Sequence, residues 1–241
     1  MAGAMNRRDI LAGGLAAGAS LALPARVLAQ DLGTAFDAVL GTPVAPAALP
    51  SESLAPVVPP LPTEVVYNPA YDRRVLEIAA RERDRAGARL WRTDVVGVAD
   101  FGRPSTLPRL HFANLENGTM RSFYVAHGRG SDHEHDGWLK NFSNVSGSEA
   151  TSRGAYLTCE WYNGKYGTSI RLEGMDQDNS QALDRAIVMH PAAYADPSWI
   201  SKWGKLGRSE GCFAMAPNQF NEALWHLSGG RLLFADRISL S

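Results

Sequence analysis

Hydrophobic and polar positions alternate in short runs over most of the chain, and the first clear departure is helical. Tyr71, Val75, Ile78 and Ala79 recur at helical spacing after Asn68-Pro69, an N-cap followed by a proline in the first turn, until Gly87 stops the run. This predicts a helix across 68–89 with Arg81-Glu82-Arg83-Asp84-Arg85 on its solvated face. From Leu90 the period shortens. Asp94–Phe101, Arg109–Leu115, Arg121–His127, Ala155–Tyr162, Ser169–Leu172, Ala186–His190 and Arg231–Ala235 read as strands, with Gly, Asn, Asp or Pro between many of them. Two helices interrupt them, a short one over Asp178–Ala186 and one over Pro217–Ser228 with Phe220, Ala223, Leu224 and Leu227 on one face. No repeat of fixed period occurs, so 90–241 is expected to form one β-rich domain.

The N-terminal segments read differently. Asn6-Arg7-Arg8-Asp9-Ile10-Leu11 is a twin-arginine pattern, followed by a Gly/Ala/Leu-rich stretch to Leu23 and by Val27-Leu28-Ala29, small enough at the cleavage positions for a signal peptidase. It resembles a Tat signal over residues 1–29, and the apolar run is too short and Gly-rich to remain as a membrane span. Residues 30–67 read as a spacer. Half of the chain's 14 prolines fall between Gly41 and Pro62, where each lacks an N–H donor and holds its neighbour extended.

Composition narrows the partners. The chain has 241 residues, 45% hydrophobic, and 24 Lys+Arg against 25 Asp+Glu leave a net charge of −1, without the basic surplus of a nucleic-acid binder. Cys159 and Cys212 are the only cysteines, neither in a CxxC pair. The run Asp132-His133-Glu134-His135-Asp136 holds metal-capable side chains but no HExxH spacing, and it reads as a solvated loop; neither a metal nor another cofactor is expected. Cys159, within a strand run, is expected to be a buried free thiol. Trp138, Trp161, Trp199 and Trp203 suit either a ligand groove or the core, and the stretch bearing Trp199 and Trp203 is long enough for a flap.

The remaining chemistry gathers at Cys212. Gly207-Arg208-Ser209-Glu210-Gly211-Cys212 puts the thiol after a Gly-containing turn that can bring N–H groups to a developing oxyanion, and His190, ending the apolar run Ala186–Met189, is the natural base. A buried structural cysteine and an unrelated histidine fit the same spacing. His127 follows Phe123–Ala126 and opens a Gly-rich turn. That place suits a substrate or oxyanion contact, or a strand-end histidine satisfied by backbone.

His190, 18 further residues, then Ser209-Glu210-Gly211-Cys212 resembles the signature of the L,D-transpeptidase (YkuD-type) catalytic domain. Thr151-Ser152-Arg153-Gly154-Ala155-Tyr156 is similar to a strand entry of that family. Asp100–Ser105, Ala126–Ser131, Phe142–Asn144 and Gly204–Ser209 resemble its murein branch in the same order. The resemblance covers about Val95 to Ala235.

It implies a mainly β fold, a β-sandwich of mixed sheets with a few short helices and a narrow cleft. It also implies a periplasmic enzyme that cross-links peptidoglycan stem peptides through a Cys212 thioester. His190 would be the base, Gly211 and Cys212 N–H the oxyanion donors, and Ser209 an orienting residue. Arg208 would meet a substrate carboxylate, with His127, Gly128 and Ser131 beside the substrate. Arg208 bonded to backbone carbonyls is an equally plain reading. A peptidoglycan L,D-carboxypeptidase or endopeptidase on the same scaffold, or a noncatalytic wall-binding protein, is the alternative. Many relatives have His where Glu210 stands and Arg where Ala214 stands. A carboxylate beside the thiol disfavours the thiolate unless it points away or pairs with a cation such as His190 or Arg208.

Overall fold

A computed structural model describes residues 68–238. The leader and spacer expected over 1–67 lie outside these residues. Helix α1 (Pro69–Ala86) opens with the Asn68 side chain accepting the Tyr71 N–H at 3.2 Å and closes at Gly87, whose φ of 55° suits a residue without Cβ. Its stripe of Tyr71, Val75, Ile78 and Ala79 packs on Val96, Val98, Ala155, Leu232 and Phe234. Burying each Val or Ile in such a layer contributes about 1.5–3 kcal/mol.

That layer covers one face of an eight-stranded sheet. The strands are β1 (Val95–Asp100), β2 (Leu110–Asn114), β3 (Thr119–Phe123), β4 (Gly154–Gly164), β5 (Gly167–Gly174), β6 (Val188–Pro191), β7 (Phe213–Met215) and β8 (Leu232–Asp236). Their order is β3-β2-β1-β8-β4-β5-β6-β7. β1 with β8 and β6 with β7 are parallel, and the other neighbours are antiparallel. β1 is buried along its whole length because its alternate residues serve two layers. Val96 and Val98 meet α1, whereas Val95 and Ala99 turn to the larger core on the other face, with Phe101, Tyr156, Met189 and Phe213. A register shift in β4 between Thr158 and Trp161 marks a bulge, which bends and twists the strand. The fold is therefore mainly β and mixed, as expected, with its strands joined in one continuous curled sheet.

Several local expectations change. Asp178–Ala186 is not an α-helix: a 3-10 turn over Gln177–Asn179 is fixed by a reciprocal cap between Asp176 and Asn179, whose side chains also bond the backbone of Ala155. Ala186 then takes a φ of 52°, which ends any helical path. The helix expected over Pro217–Ser228 is confined to α3 (Phe220–His226), and α2 (Ser198–Trp203) and β7 are additional. β3 ends at Phe123. Beyond it, Ala126 and Gly128 form only isolated bridges, to Ala214 and Ser209.

Candidate active site

The parallel pairing of β6 with β7 sets Met189 opposite Phe213 and His190 opposite Ala214. Cys212, just before β7, therefore falls beside Val188, and Cys212 and His190 line one cavity of about 650 Å³. Both side chains are largely buried. The Cys212 thiol is pushed up from its ordinary pKa by burial. The Val188 N–H lowers it, Glu210 raises it, and Arg185 lowers it. In the resting site the thiol faces the Ala186 carbonyl, 3.6 Å from Sγ.

His190 is held below its ordinary pKa by burial, against the opposing pull of the Pro191 carbonyl. Its Nδ1 lies 3.1 Å from Pro191 O. A carbonyl can only accept, so Nδ1 carries the proton and Nε2 keeps the lone pair needed by a base. The ring is stacked on Tyr166 and meets Tyr194 edge-on. Tyr162, Tyr166 and Tyr194 supply the aromatic lining, and none of Trp138, Trp161, Trp199 or Trp203 lines this cavity. Trp199 and Trp203 lie on α2, which gives the cavity no residue; Tyr194 before it and Arg208, Ser209 and Glu210 after it line the cavity.

Ser209 organises the turn before the thiol. Its Oγ donates to Cys212 O at 2.7 Å and accepts the Gly211 N–H at 3.2 Å. The Gly211 N–H is thereby engaged within the loop and not offered to an oxyanion, a correction to the sequence expectation. Gly211 itself is required by geometry: its φ is 115°, and a Cβ there would stand 2.8 Å from Ile187 Cδ1 and 2.9 Å from Ala150 O. Glu210 points outward and lies 3.6 Å from Arg129, which also pairs with Glu149. The carboxylate beside the thiol is thus matched by a cation, though by Arg129 and not by His190 or Arg208.

Arg208 lines the cavity, and its guanidinium is bonded to the carbonyls of Asp132 and, at 3.4 Å, His133. The expected substrate contacts His127, Gly128 and Ser131 are not among the cavity-lining residues. They form the layer beneath it. His127 Nδ1 accepts from Arg109 Nη2 at 2.6 Å, and its Nε2 faces Asp132 Oδ2 at 3.3 Å. Burial and the neighbouring Arg109 push His127 down to about 4, so it is neutral at pH 7. The Asp132 carboxyl stays below the usual range: hydrogen bonds from His127 and from the Asp136 and Gly137 N–H groups outweigh the upward push of burial. Gly128 donates to Thr151 Oγ1, and Ser131 Oγ accepts from Thr151 N–H. Loop 132–136 is likewise structural, with His135 Nε2 2.9 Å from Leu206 O, and the described residues contain no cluster of three metal-capable side chains. Cys159 and Cys212 are both free; Cys159 is half-buried on β4.

Sequence spacing missed Tyr166, Arg185 and Arg129. Tyr166 comes from the β4–β5 turn and Arg185 from the turn before β6, and neither stands at a motif distance from Cys212.

Fold and site together define a mainly β domain with a thiol and an imidazole at one end of a mixed sheet. The family model of the L,D-transpeptidase catalytic domain, YkuD_2, matches residues 68–235, and the chain belongs to that family. Similar solved structures include an L,D-transpeptidase from Mycobacterium smegmatis, 14% identical with a TM-score of 0.35, covering 59% of this chain and 58% of that one. Another is the L,D-transpeptidase of Xylanimonas cellulosilytica, at 14% identity and TM-score 0.37, covering 64% and 66%. A third is the helical cell shape determining protein Pgp2 of Campylobacter jejuni, at 14% and 0.40, covering 70% and 57%. The chain thus spans less than two thirds of the length of each. Among curated proteins no match is found.

Proposed function

We propose that the protein is an exported cysteine L,D-transpeptidase that forms or remodels cross-links between peptidoglycan stem peptides. The observation that carries this reading is the pairing of β6 and β7, which presents Cys212 and a correctly protonated His190 to one cavity. His190 Nε2 takes the thiol proton as Sγ attacks the carbonyl that joins the third stem residue to the fourth. The C–N bond breaks, the departing amine takes the proton from the imidazolium, and a thioester remains on Cys212. The amine of a second stem then attacks the thioester carbonyl. It loses a proton to His190 and expels the thiolate, which is reprotonated.

Peptidoglycan lies outside the cytoplasmic membrane, so the twin-arginine leader and the substrate agree. Among the described residues no helix is long and apolar enough to cross a membrane.

Intact-protein mass spectrometry with purified tetrapeptide muropeptides, beside Cys212→Ala, tests the reading. An adduct on the wild type alone with dimeric products is expected. An adduct with only trimmed monomers assigns the site to a hydrolase, and no adduct with any stem overturns a thioester at Cys212.

A further inference from the structure

The guanidinium of Arg185 forms part of the wall of the Cys212 cavity and has no carboxylate partner among the described residues. Its Nη1 donates to Ser143 O and Ser152 Oγ, both at 2.6 Å, and its Nη2 to Ala150 O at 2.5 Å and Ser148 Oγ at 3.3 Å. All four acceptors are uncharged. Arg129, by contrast, is engaged with Glu149 and Glu210. The position is close to the reacting group in two ways. Arg185 Nη2 lies 3.3 Å from where a Cβ on Gly211 would stand, one residue from Cys212, and the next residue, Ala186, offers its carbonyl to Sγ. A half-buried cation with no counter-ion is costly unless a negative charge arises beside it.

We propose that Arg185 is an electrostatic positioning residue whose fixed guanidinium serves as counter-ion to the Cys212 thiolate. The inference rests on Cys212 being the nucleophile. The groups that bear on the thiol are the Val188 N–H and His190 from β6, Ala186 O and Arg185 from the turn before it, and Glu210 from its own loop. Tyr156 of β4 and Tyr194 also face it, and Arg129, Lys165, Asp184 and Arg208 line the same cavity. Of the groups that shift the thiol, Arg185 alone carries a permanent positive charge. Its influence on the thiol is downward, opposing burial and Glu210. Three short anchors and a longer one to Ser148 fix the guanidinium before substrate arrives, so no reorganisation is needed when the charge forms.

The test is the pH profile of Cys212 alkylation by iodoacetamide in the full chain carrying Cys159→Ser, read by peptide mass mapping, with circular dichroism as the check of folding. Arg185→Gln is expected to move the profile to higher pH and to slow alkylation near pH 7 by roughly three- to tenfold, because an opposite charge nearby shifts a pKa by about a unit or more. Arg185→Lys is expected to keep most of the wild-type rate. A folded Arg185→Gln whose profile superimposes on the wild type, or Lys and Gln variants shifted alike, overturns the proposal.

Should Arg185→Gln not fold, the unaltered site decides. Anionic iodoacetate should react at Cys212 faster, relative to iodoacetamide, than it does with free cysteine, and an equal or lower ratio overturns the proposal. Alkylation is read without turnover, so this failure is separable from that of the proposed function, which undiminished turnover by Cys212→Ala would sink.

Discussion

Tyr166 lies against His190 with ring centroids 4.4 Å apart and planes 23° from parallel. The contact joins the β4–β5 turn to the imidazole on β6, and the phenol ring restricts that imidazole to the orientation in which Nδ1 meets Pro191 O. An aromatic pair of this kind contributes about 0.5–1.5 kcal/mol beyond the area it buries. Tyr166→Ala is therefore expected to lower kcat/KM by about two- to tenfold, while Tyr166→Phe retains the wild-type value. Equal losses in both variants would place the effect in the hydroxyl and not in the stack.

The resting pair titrates in a defined order. Burial holds His190 below its ordinary pKa, and burial is also the main force raising the Cys212 thiol, so thiol and imidazole are both neutral at pH 7. The acid limb of kcat/KM is then expected below about pH 6.5. A limb centred above that value in steady-state assays would contradict a base desolvated by its surroundings.

Two buried histidines make the domain sensitive to acid. Burial lowers His111 to about 3, and burial with Arg109 lowers His127 to about 4. Each binds a proton more readily when unfolded, so its contribution is complete above about pH 6.5 and declines as pH falls toward the folded value. Within that window each costs about 1.4 kcal/mol per pH unit. Thermal melting between pH 7 and pH 4 should show Tm falling steadily, and His111→Asn should flatten the slope; a Tm independent of pH there would refute the account.

Gly128 stands where the framework and the loop that carries Cys212 touch. A Cβ there would lie 2.3 Å from Glu149 O and 2.7 Å from both N and Cα of Gly211, all of them backbone atoms. Gly128→Ala should cost about 1–3 kcal/mol in denaturant unfolding and slow Cys212 alkylation by displacing the turn that carries it. Unchanged stability and reactivity together would show that the two loops can separate freely.

How far these features can be read from sequence depends on how local their causes are. α1 and seven of the strands follow from periodicity, caps and turn residues within their own spans. β7 has three residues and exists through its pairing with β6, so no local pattern announces it. Asp178–Ala186 failed as a helix because Asp176 and Asn179 bond Ala155 on a distant strand, a competition that spacing does not record. In the site, Cys212 and His190 were legible from their chemistry and order. His127 was misplaced because its neighbour in space, the fully buried Arg109, is eighteen residues away and reads in sequence as an ordinary polar strand end. Arg185 and Tyr166 were invisible for a similar reason: turns carry them to the cavity that Cys212 and His190 line.

The placement of β8 has a consequence for when the cavity around Cys212 can form. β3-β2-β1 and β4-β5-β6-β7 share no strand pairing except through β8, which joins Val96 to Leu232 on one side and Leu157 to Leu232 on the other. A nascent or truncated chain lacking Leu232–Asp236 would hold two separate β ribbons with open edges, and the cavity would lack the rigid support of the common core. The keystone strand follows Cys212 in the chain, so synthesis delivers the thiol before the strand that closes the sheet around it.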